Sequence, residues 1–376
     1  MKIAVPMERD PVEGRVAATA ETVKKLKALG FDVTVETGAG TKSRIPDADY
    51  EAVGATIAAD AASAAAGADV ILRVRRPTAE EAAAYPAGAL VIGMLDPYGA
   101  KEAMQDLASK GLTTFSMEFM PRITRAQVMD VLSSQANLAG YQAVIDAAAT
   151  FDRAFPMMMT AAGTIPAARV FVMGAGVAGL QAIATARRLG AVVTATDVRP
   201  AAKDQVESLG AKFVAVEDEE FKQAETAAGY AKPMSAEYQA KQAALVAEHI
   251  KKQDVVITTA LIPGRPAPKL VSAAMVASMK PGSVLIDLAI ERGGNVEGAV
   301  AGEIAEVNGV KIVGHLNVAG RIAASASSLY ARNLYAFLET LVDRQEKKLA
   351  VNYEDELVKA TLVTKDGQIV HPALAN

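Results

Sequence analysis

The chain has no cysteine, and only three histidines, His249, His315 and His371, spaced far apart. Without cysteine there are no disulfides, thiolate nucleophiles, iron–sulfur clusters or cysteine-type zinc sites, and a reducing compartment fits. Three scattered histidines give no spacing for a metal centre, so no metal is expected. There is also no block of Lys or Arg, and the formal net charge is −4, which argues against nucleic-acid binding. The longest apolar stretches, such as residues 170–180, fall short of the roughly 18–20 residues of a spanning helix. The opening MKIAVPMERDPVEGR turns charged too early for the apolar core of a signal peptide. The chain therefore reads as soluble. What it does hold is 51% hydrophobic residues over 376 positions, enough for a folded core and the length of about two domains.

Short Val- and Ile-rich runs alternate with longer segments of helical period, the grammar of parallel-sheet α/β proteins. A first series reads KIAVP, the helix TAETVKKLKALG, FDVTVETG, the helical DADYEAVGAT, ADVILRV, ALVIGML, a helix around 101–110 and LTTFSMEFM. A single long helix is expected from about Thr124 to Phe155. The second series runs ARVFVMGAG, AVVTATDV, AKFVAV, DVVITTA, SVLIDLA and VKIVGHL. Near the end come an amphipathic helix and a hairpin signal at Asp366-Gly367. KALGFDVTVETG and RRLGAVVTATDV resemble each other, as two related α/β units would. The final helix and hairpin are expected to return to the first unit. The expected fold is thus α/β with two doubly wound, Rossmann-like parallel-sheet domains. One comprises residues 1–133 plus 324–376, and the other residues 134–323.

The sharpest local motif is Gly174-Ala-Gly176-Val-Ala-Gly179, between a strand and a helical run. In that context the first glycine permits a tight turn, the second lets backbone approach a pyrophosphate, and the third allows close helix packing. Asp197 closes the next strand, 18 residues after Gly179. A carboxylate there bonds ribose hydroxyls and repels a 2′-phosphate, so NAD(H) is expected rather than NADP(H). Arg199 pulls the other way and is weighted lower.

A second cluster, Arg122, Arg125, Gln127, Asp130, Ser133, Ser134, Gln135 and Asn137, is read as one end of a largely buried helix. Gln127, Asp130, Ser134 and Asn137 have helical spacing and should share a face, either solvated or lining a cleft. TTALIPGRPAPKL, 258–270, follows a strand and lines a crevice or is a plain connection. The charged stretch 217–242 reads as an excursion, and Met157, Met158 and Met159 read as packing or interface material. No self-sufficient set of catalytic acids, bases or nucleophiles stands out.

Several long segments carry a resemblance. They are MPRITRAQVMDVLSSQANLAGYQAVIDAA, AFPMMMTAAGTIPAARVFVMGAGVAGLQAIATARRLGAVVTATDVR, TAAGYAKPMS, ITTALIPGRPAPKL and MKPGSVLIDLAIERGGN. The chain resembles the soluble NAD(H)-binding component of proton-translocating nicotinamide nucleotide transhydrogenases and, more narrowly, the separate first portion of a split alpha subunit. The resemblance implies a homodimer with nucleotide between the two domains of each subunit. It also implies direct, AB-specific hydride transfer to NADP(H) on a partner component, coupled to protons through a membrane component. Little activity is then expected without those partners. The implied location is the cytoplasmic side of a bacterial inner membrane, held there by the partners.

By the same resemblance, Arg122, Gln127, Asp130 and Ser133 match the nicotinamide-side cluster, with Arg125 beside them. Gly174, Gly176, Val177 and Gly179 match the pyrophosphate site, and Asp197, Val198 and Arg199 match the adenosine site. Gly229, Gln242 and Leu261 match further nucleotide contacts, and Tyr230 the tyrosine of a mobile loop. The fold also resembles alanine dehydrogenase, the alternative reading. Here, however, RVRRP with Arg75 stands where that enzyme has a lysine, and Leu95-Asp96-Pro97 where it has a histidine. An arginine does not shed its proton near neutral pH, so amino-acid oxidation is not expected.

Overall fold

The computed structural model describes residues 1–224, 234–262 and 264–374. The chain divides into two compact units, Met1–Gln135 with Ala319–Asn376, and Ala136–Val318.

In the first unit the apolar runs form β1 (Lys2–Val5), β2 (Asp32–Glu36), β3 (Thr56–Ala58), β4 (Val70–Arg75), β5 (Leu90–Met94) and β6 (Thr113–Ser116). Strands buried on both faces, such as Ile3–Val5 and Val70–Leu72, suit a parallel sheet covered by helices on each side. The order is β3-β2-β1-β4-β5-β6, all parallel. The hairpin Leu362–Lys365 and Gln368–Ile369 then adds antiparallel to β6. Its turn residues, Asp366 and Gly367, have φ of 51° and 79°, the left-handed pair that a two-residue hairpin turn requires.

In the second unit, β7 (Met158–Thr160) and β8 (Gly163–Ile165) pair as a small separate hairpin, exposed along both strands. The main strands are β9 (Arg169–Met173), β10 (Val192–Thr196), β11 (Lys212–Phe213), β12 (Val255–Thr258), β13 (Val284–Asp287), β14 (Ile304–Val307) and β15 (Val310–Val313). Their order is β11-β10-β9-β12-β13-β15-β14, with only β14 antiparallel. Leaving β14 aside, each unit counted from its own first strand reads 3-2-1-4-5-6, the doubly wound nucleotide-binding order. The repeated Leu-Gly likewise has one structural meaning in both. Leu29 and Leu189 cap helices, and Gly30 and Gly190 follow with φ of 94° and 87°.

Two elements differ from the expected pattern. DADYEAVGAT is not helical throughout: the helix stops at Ala52, Gly54 takes φ of 84°, and Thr56–Ala58 joins the sheet. A left-handed glycine ends a helix at no steric cost. Nor is 124–155 one helix. A 3-10 turn covers Thr124–Met129, Asp130 breaks it with φ −75° and ψ 92°, and the α-helix runs only over Val131–Thr150. The short aspartate side chain competes for helix donors and so favours the cap over the interior.

Candidate nucleotide-binding site

At the carboxyl end of β9 the chain turns into the helix Val177–Arg188, and its three glycines serve separate purposes. Gly174 adopts φ 107°, and a Cβ there would lie 2.4 Å from Thr259 Oγ1. At Gly179 a Cβ would fall 1.8 Å from the Gly174 carbonyl oxygen, so the helix comes this close only with hydrogen in that place. At Gly176 an added Cβ meets nothing within 4 Å. The backbone faces open space at the residue that serves as N-cap, and no side chain caps the helix. First-turn amides and a positive dipole end left uncovered in this way fit a diphosphate. The long helix packs against the same turn. A Cβ at Gly140 would lie 2.0 Å from the Ala178 carbonyl oxygen.

The crevice sits at the topological switch point between β9 and β12, where open parallel sheets take ligands. On its β10 side, Asp197 is nearly buried. Its Oδ2 accepts the Ala175 N–H at 2.7 Å, and Oδ1 accepts the Arg199 N–H and Nε, each at 2.9 Å. The Arg199 charge is thus met by the carboxylate beside it, which reduces its pull on a 2′-phosphate. Val198 is exposed next to them, and Val177 opens the helix at 41% exposure. Gln242 is held by protein groups: its Oε1 accepts the Val216 N–H at 2.9 Å and its Nε2 donates to Thr196 Oγ1 at 3.1 Å. On the β12 side, Thr259 Oγ1 donates to the Gly174 carbonyl at 3.1 Å, and Leu261 and Ile262 are half exposed.

Arg122, Gln127, Asp130 and Ser133 all belong to the first unit. Arg122 and Gln127 are exposed, and Asp130 and Ser133 are half-buried. Asp130 accepts the Ser133 N–H at 2.8 Å and the Ser133 hydroxyl at 2.5 Å. That is an N-cap of the long helix, not a pair on one helical face. The expected stripe therefore dissolves. Gln127 and Asp130 precede the helix, Ser134 donates to Asn333 Oδ1 at 2.7 Å, and Asn137 donates to Gln181 at 3.3 Å. The turn before this helix and the helix start are also less buried than expected, with Val128 64% and Leu132 42% exposed. Arg125 is engaged elsewhere, donating to Asp355 at 3.0 and 3.1 Å and to Glu356 at 3.1 Å. Gly229 and Tyr230 lie outside the described residues.

The corresponding switch point of the first unit, at the ends of β1 and β4, is closed by charge pairs. Arg15 grips the buried Glu13 through Nε and Nη2, each at 2.7 Å, and its Nη1 donates to Gln135 at 3.0 Å. Arg75 Nε adds a bond to Glu13 at 2.8 Å. Burial works to raise the Glu13 carboxyl, but the Arg15 guanidinium overrides it and holds it down at about 2. Beside it Arg73 bonds Glu8, Glu81 and Tyr85, and burial raises the Glu8 carboxyl above the usual carboxylate range. Asp96 sits in a left-handed turn, φ 45°, with its N–H donated to Glu118 at 2.7 Å.

Two residues that are not among the candidates from sequence, though they lie within the segments 258–270 and MKPGSVLIDLAIERGGN, shape the crevice: Thr259 and Asn295. Thr259 follows the strand by one residue, and Asn295 follows two consecutive left-handed glycines, Gly293 and Gly294. A polar residue directly after such a glycine pair is the one local signal that could have pointed to Asn295. Among the described residues no helix is long and apolar enough to cross a membrane.

Comparison with known proteins agrees with this architecture. Residues 4–139 match a family model described as "Alanine dehydrogenase/PNT, N-terminal domain", and residues 143–372 match "Alanine dehydrogenase/PNT, C-terminal domain". The chain is 58% identical over 379 residues to the first portion of the NAD(P) transhydrogenase alpha subunit of Rhodospirillum rubrum, spanning 100% of this chain and 99% of that one. It is similar to the crystal structure of transhydrogenase from Sinorhizobium meliloti, with 67% identity and a TM-score of 0.91, over 98% and 100% of the two chains. The alanine dehydrogenase of Halomonas elongata is 30% identical over 383 residues, covering 100% of this chain and 96% of the enzyme.

Proposed function

The chain belongs to the alanine dehydrogenase/PNT family, and from that premise we propose that it is the NAD(H)-binding subunit of a proton-translocating transhydrogenase. Within the family it stands with the transhydrogenase alpha subunits, at 58% identity, rather than with the alanine dehydrogenases, at 30%. The observation that carries the reading is the glycine turn: an uncapped helix start with open space at Gly176, and a carboxylate at Asp197 in the ribose position.

In this reading Gly174, Gly176, Val177 and Gly179 hold the diphosphate of NAD(H), and Asp197, Val198 and Arg199 the adenosine end. Gln242 supports the strand end beside it, and Leu261 packs toward the nicotinamide. Arg122, Gln127, Asp130 and Ser133 orient the nicotinamide, with Asp130 and Ser133 fixed by their mutual cap. A bound nicotinamide supplies the hydride, and exchange with a second nicotinamide needs no acid or base from the protein. NADP(H) is carried by a partner component, and a membrane component conducts the protons.

The alternative, a free-standing amino-acid dehydrogenase, is disfavoured by the first unit: Arg15, which the resemblance to alanine dehydrogenase sets at that enzyme's substrate-carboxylate arginine, already has its guanidinium taken up by Glu13 and Gln135. The exposed hairpin Met158–Ile165, with Met157 60% and Met159 77% exposed, suits a second copy of the chain. A two-stranded hairpin is marginal alone, and its methionines offer adaptable apolar contact. The test is titration of the purified chain with NADH and NADPH, alongside an assay for alanine-dependent NAD+ reduction. Preference for NADH with no alanine oxidation is expected. Preference for NADPH, or efficient alanine oxidation, contradicts the proposal.

A further inference from the structure

The wall of the crevice opposite the glycine turn is built around one side chain given no role in the nucleotide site so far, Asn295, which closes the segment MKPGSVLIDLAIERGGN. Asn295 is completely buried, and every hydrogen-bonding group of its side-chain amide is used on the segment that follows β12. Its Oδ1 accepts the Ala260 N–H at 3.1 Å, and its Nδ2 donates to the Ala260 carbonyl at 2.9 Å and to the Pro268 carbonyl at 2.8 Å. Its backbone carbonyl accepts the N–H groups of Leu270 and Val271, at 2.8 and 3.0 Å. One residue therefore ties down both ends of the 260–270 segment. Its bonds to Ala260 copy the double pairing of a strand neighbour where the sheet has already ended.

The mounting beneath Asn295 is equally fixed. Asp287, buried at the end of β13, accepts the Val296 N–H at 3.0 Å and the Ala289 N–H at 2.9 Å. A Cβ at Gly294 would lie 2.6 Å from Asp287 Oδ2. The residue before Asn295 is thus pressed against this carboxylate, which sets the direction of the amide. On the far side of Ala260, Thr259 bonds the Gly174 carbonyl of the glycine turn. The amide accordingly connects the two walls of the switch-point crevice through the consecutive residues Ala260 and Thr259, and Leu261 and Ile262 stand exposed directly beyond it.

We infer that Asn295 is a positioning residue for hydride transfer: it sets the β12 wall, and with it Leu261 and Ile262, at the reactive end of the nucleotide. This rests on the NAD(H) reading above. Asn295 touches no nucleotide-binding group of the glycine turn itself, so its loss acts on placement rather than on grip. Displacement of a reacting group by about 1 Å costs up to about a hundredfold in rate.

The test is Asn295→Ala in the complex with the NADP(H)-binding component. Hydride transfer is followed by rapid mixing, and NADH affinity of the isolated chain by fluorescence titration. The expected result is a transfer rate lowered about tenfold or more, with the dissociation constant for NADH within about threefold of wild type. Asn295→Asp keeps an acceptor for the Ala260 N–H but loses both donors. It serves if the alanine variant does not fold, and it should show the same split. Equal losses of rate and affinity, a loss of affinity alone, or no change in either overturns the inference. Failure of the wild-type chain to bind NADH is a different result and counts against the NAD(H) reading instead.

Discussion

Asp197 meets two demands, since it anchors the Ala175 N–H of the glycine turn and compensates Arg199. Asp197→Ala removes the ribose acceptor and releases the Arg199 charge together. NADH should bind about ten- to a hundredfold more weakly, the worth of a lost charged hydrogen bond, while NADPH loses less. Fluorescence titration with both nucleotides measures the ratio, and an unchanged ratio contradicts this account of cofactor choice. Asp197 was legible from its distance to Gly179. Its pairing with Arg199 was not, because spacing along a chain does not reveal rotamers. Glu13 makes a prediction about pH. Its folded pKa of about 2 lies below the ordinary 4.5, so its stabilisation is complete above about pH 4.5 and is lost as pH falls toward 2. The full effect is on the order of 3 kcal/mol. Urea unfolding of wild type and Glu13→Gln should show a stability difference that shrinks with acidification through that window, and a constant difference refutes it.

Among the elements, the long helix shows where periodicity misled. The 3.6-residue pattern continues through 124–150, yet Asp130 leaves the helix to cap it. Capping and site roles separate by substitution, because asparagine also caps and alanine does not. Asp130→Ala should cost about 1 kcal/mol of stability. Asp130→Asn should keep the melting temperature and still slow hydride transfer, if the charge is needed at the nicotinamide. Wild-type transfer by the asparagine variant would leave Asp130 with a structural role alone. The hairpin Met158–Ile165 makes the other prediction at this scale. Met159→Asp should turn a dimer into monomers in sedimentation velocity without loss of fold, and an unchanged sedimentation coefficient contradicts the hairpin's part in assembly. Strands were read well where Val and Ile cluster. The short β3 was missed, because Thr56–Ala58 is too brief for a period and a left-handed Gly54 reads in sequence as helix end and loop alike.

At the level of the whole molecule, two units share one strand order, and they differ in what occupies the switch point. In the second unit it is open at Gly176; in the first it is filled by Glu13, Arg15 and Arg75. Alternating βαβ grammar made the fold class readable. The filled switch point was not readable, since Glu13 and Arg75 stand far apart in sequence and only the sheet order joins them. Asn295 escaped for the same reason. Candidate residues fall on both units, Arg122, Gln127, Asp130 and Ser133 on one and the glycine turn on the other. Acting as a nucleotide carrier for a neighbour is the central claim. Its most direct test is rapid mixing of the NADH-loaded chain with the NADP+-loaded partner component, followed by nicotinamide absorbance. The account predicts a fast burst of hydride transfer that requires both components and no amino acid. No burst with both components present, or one that the chain produces without its partner, contradicts it.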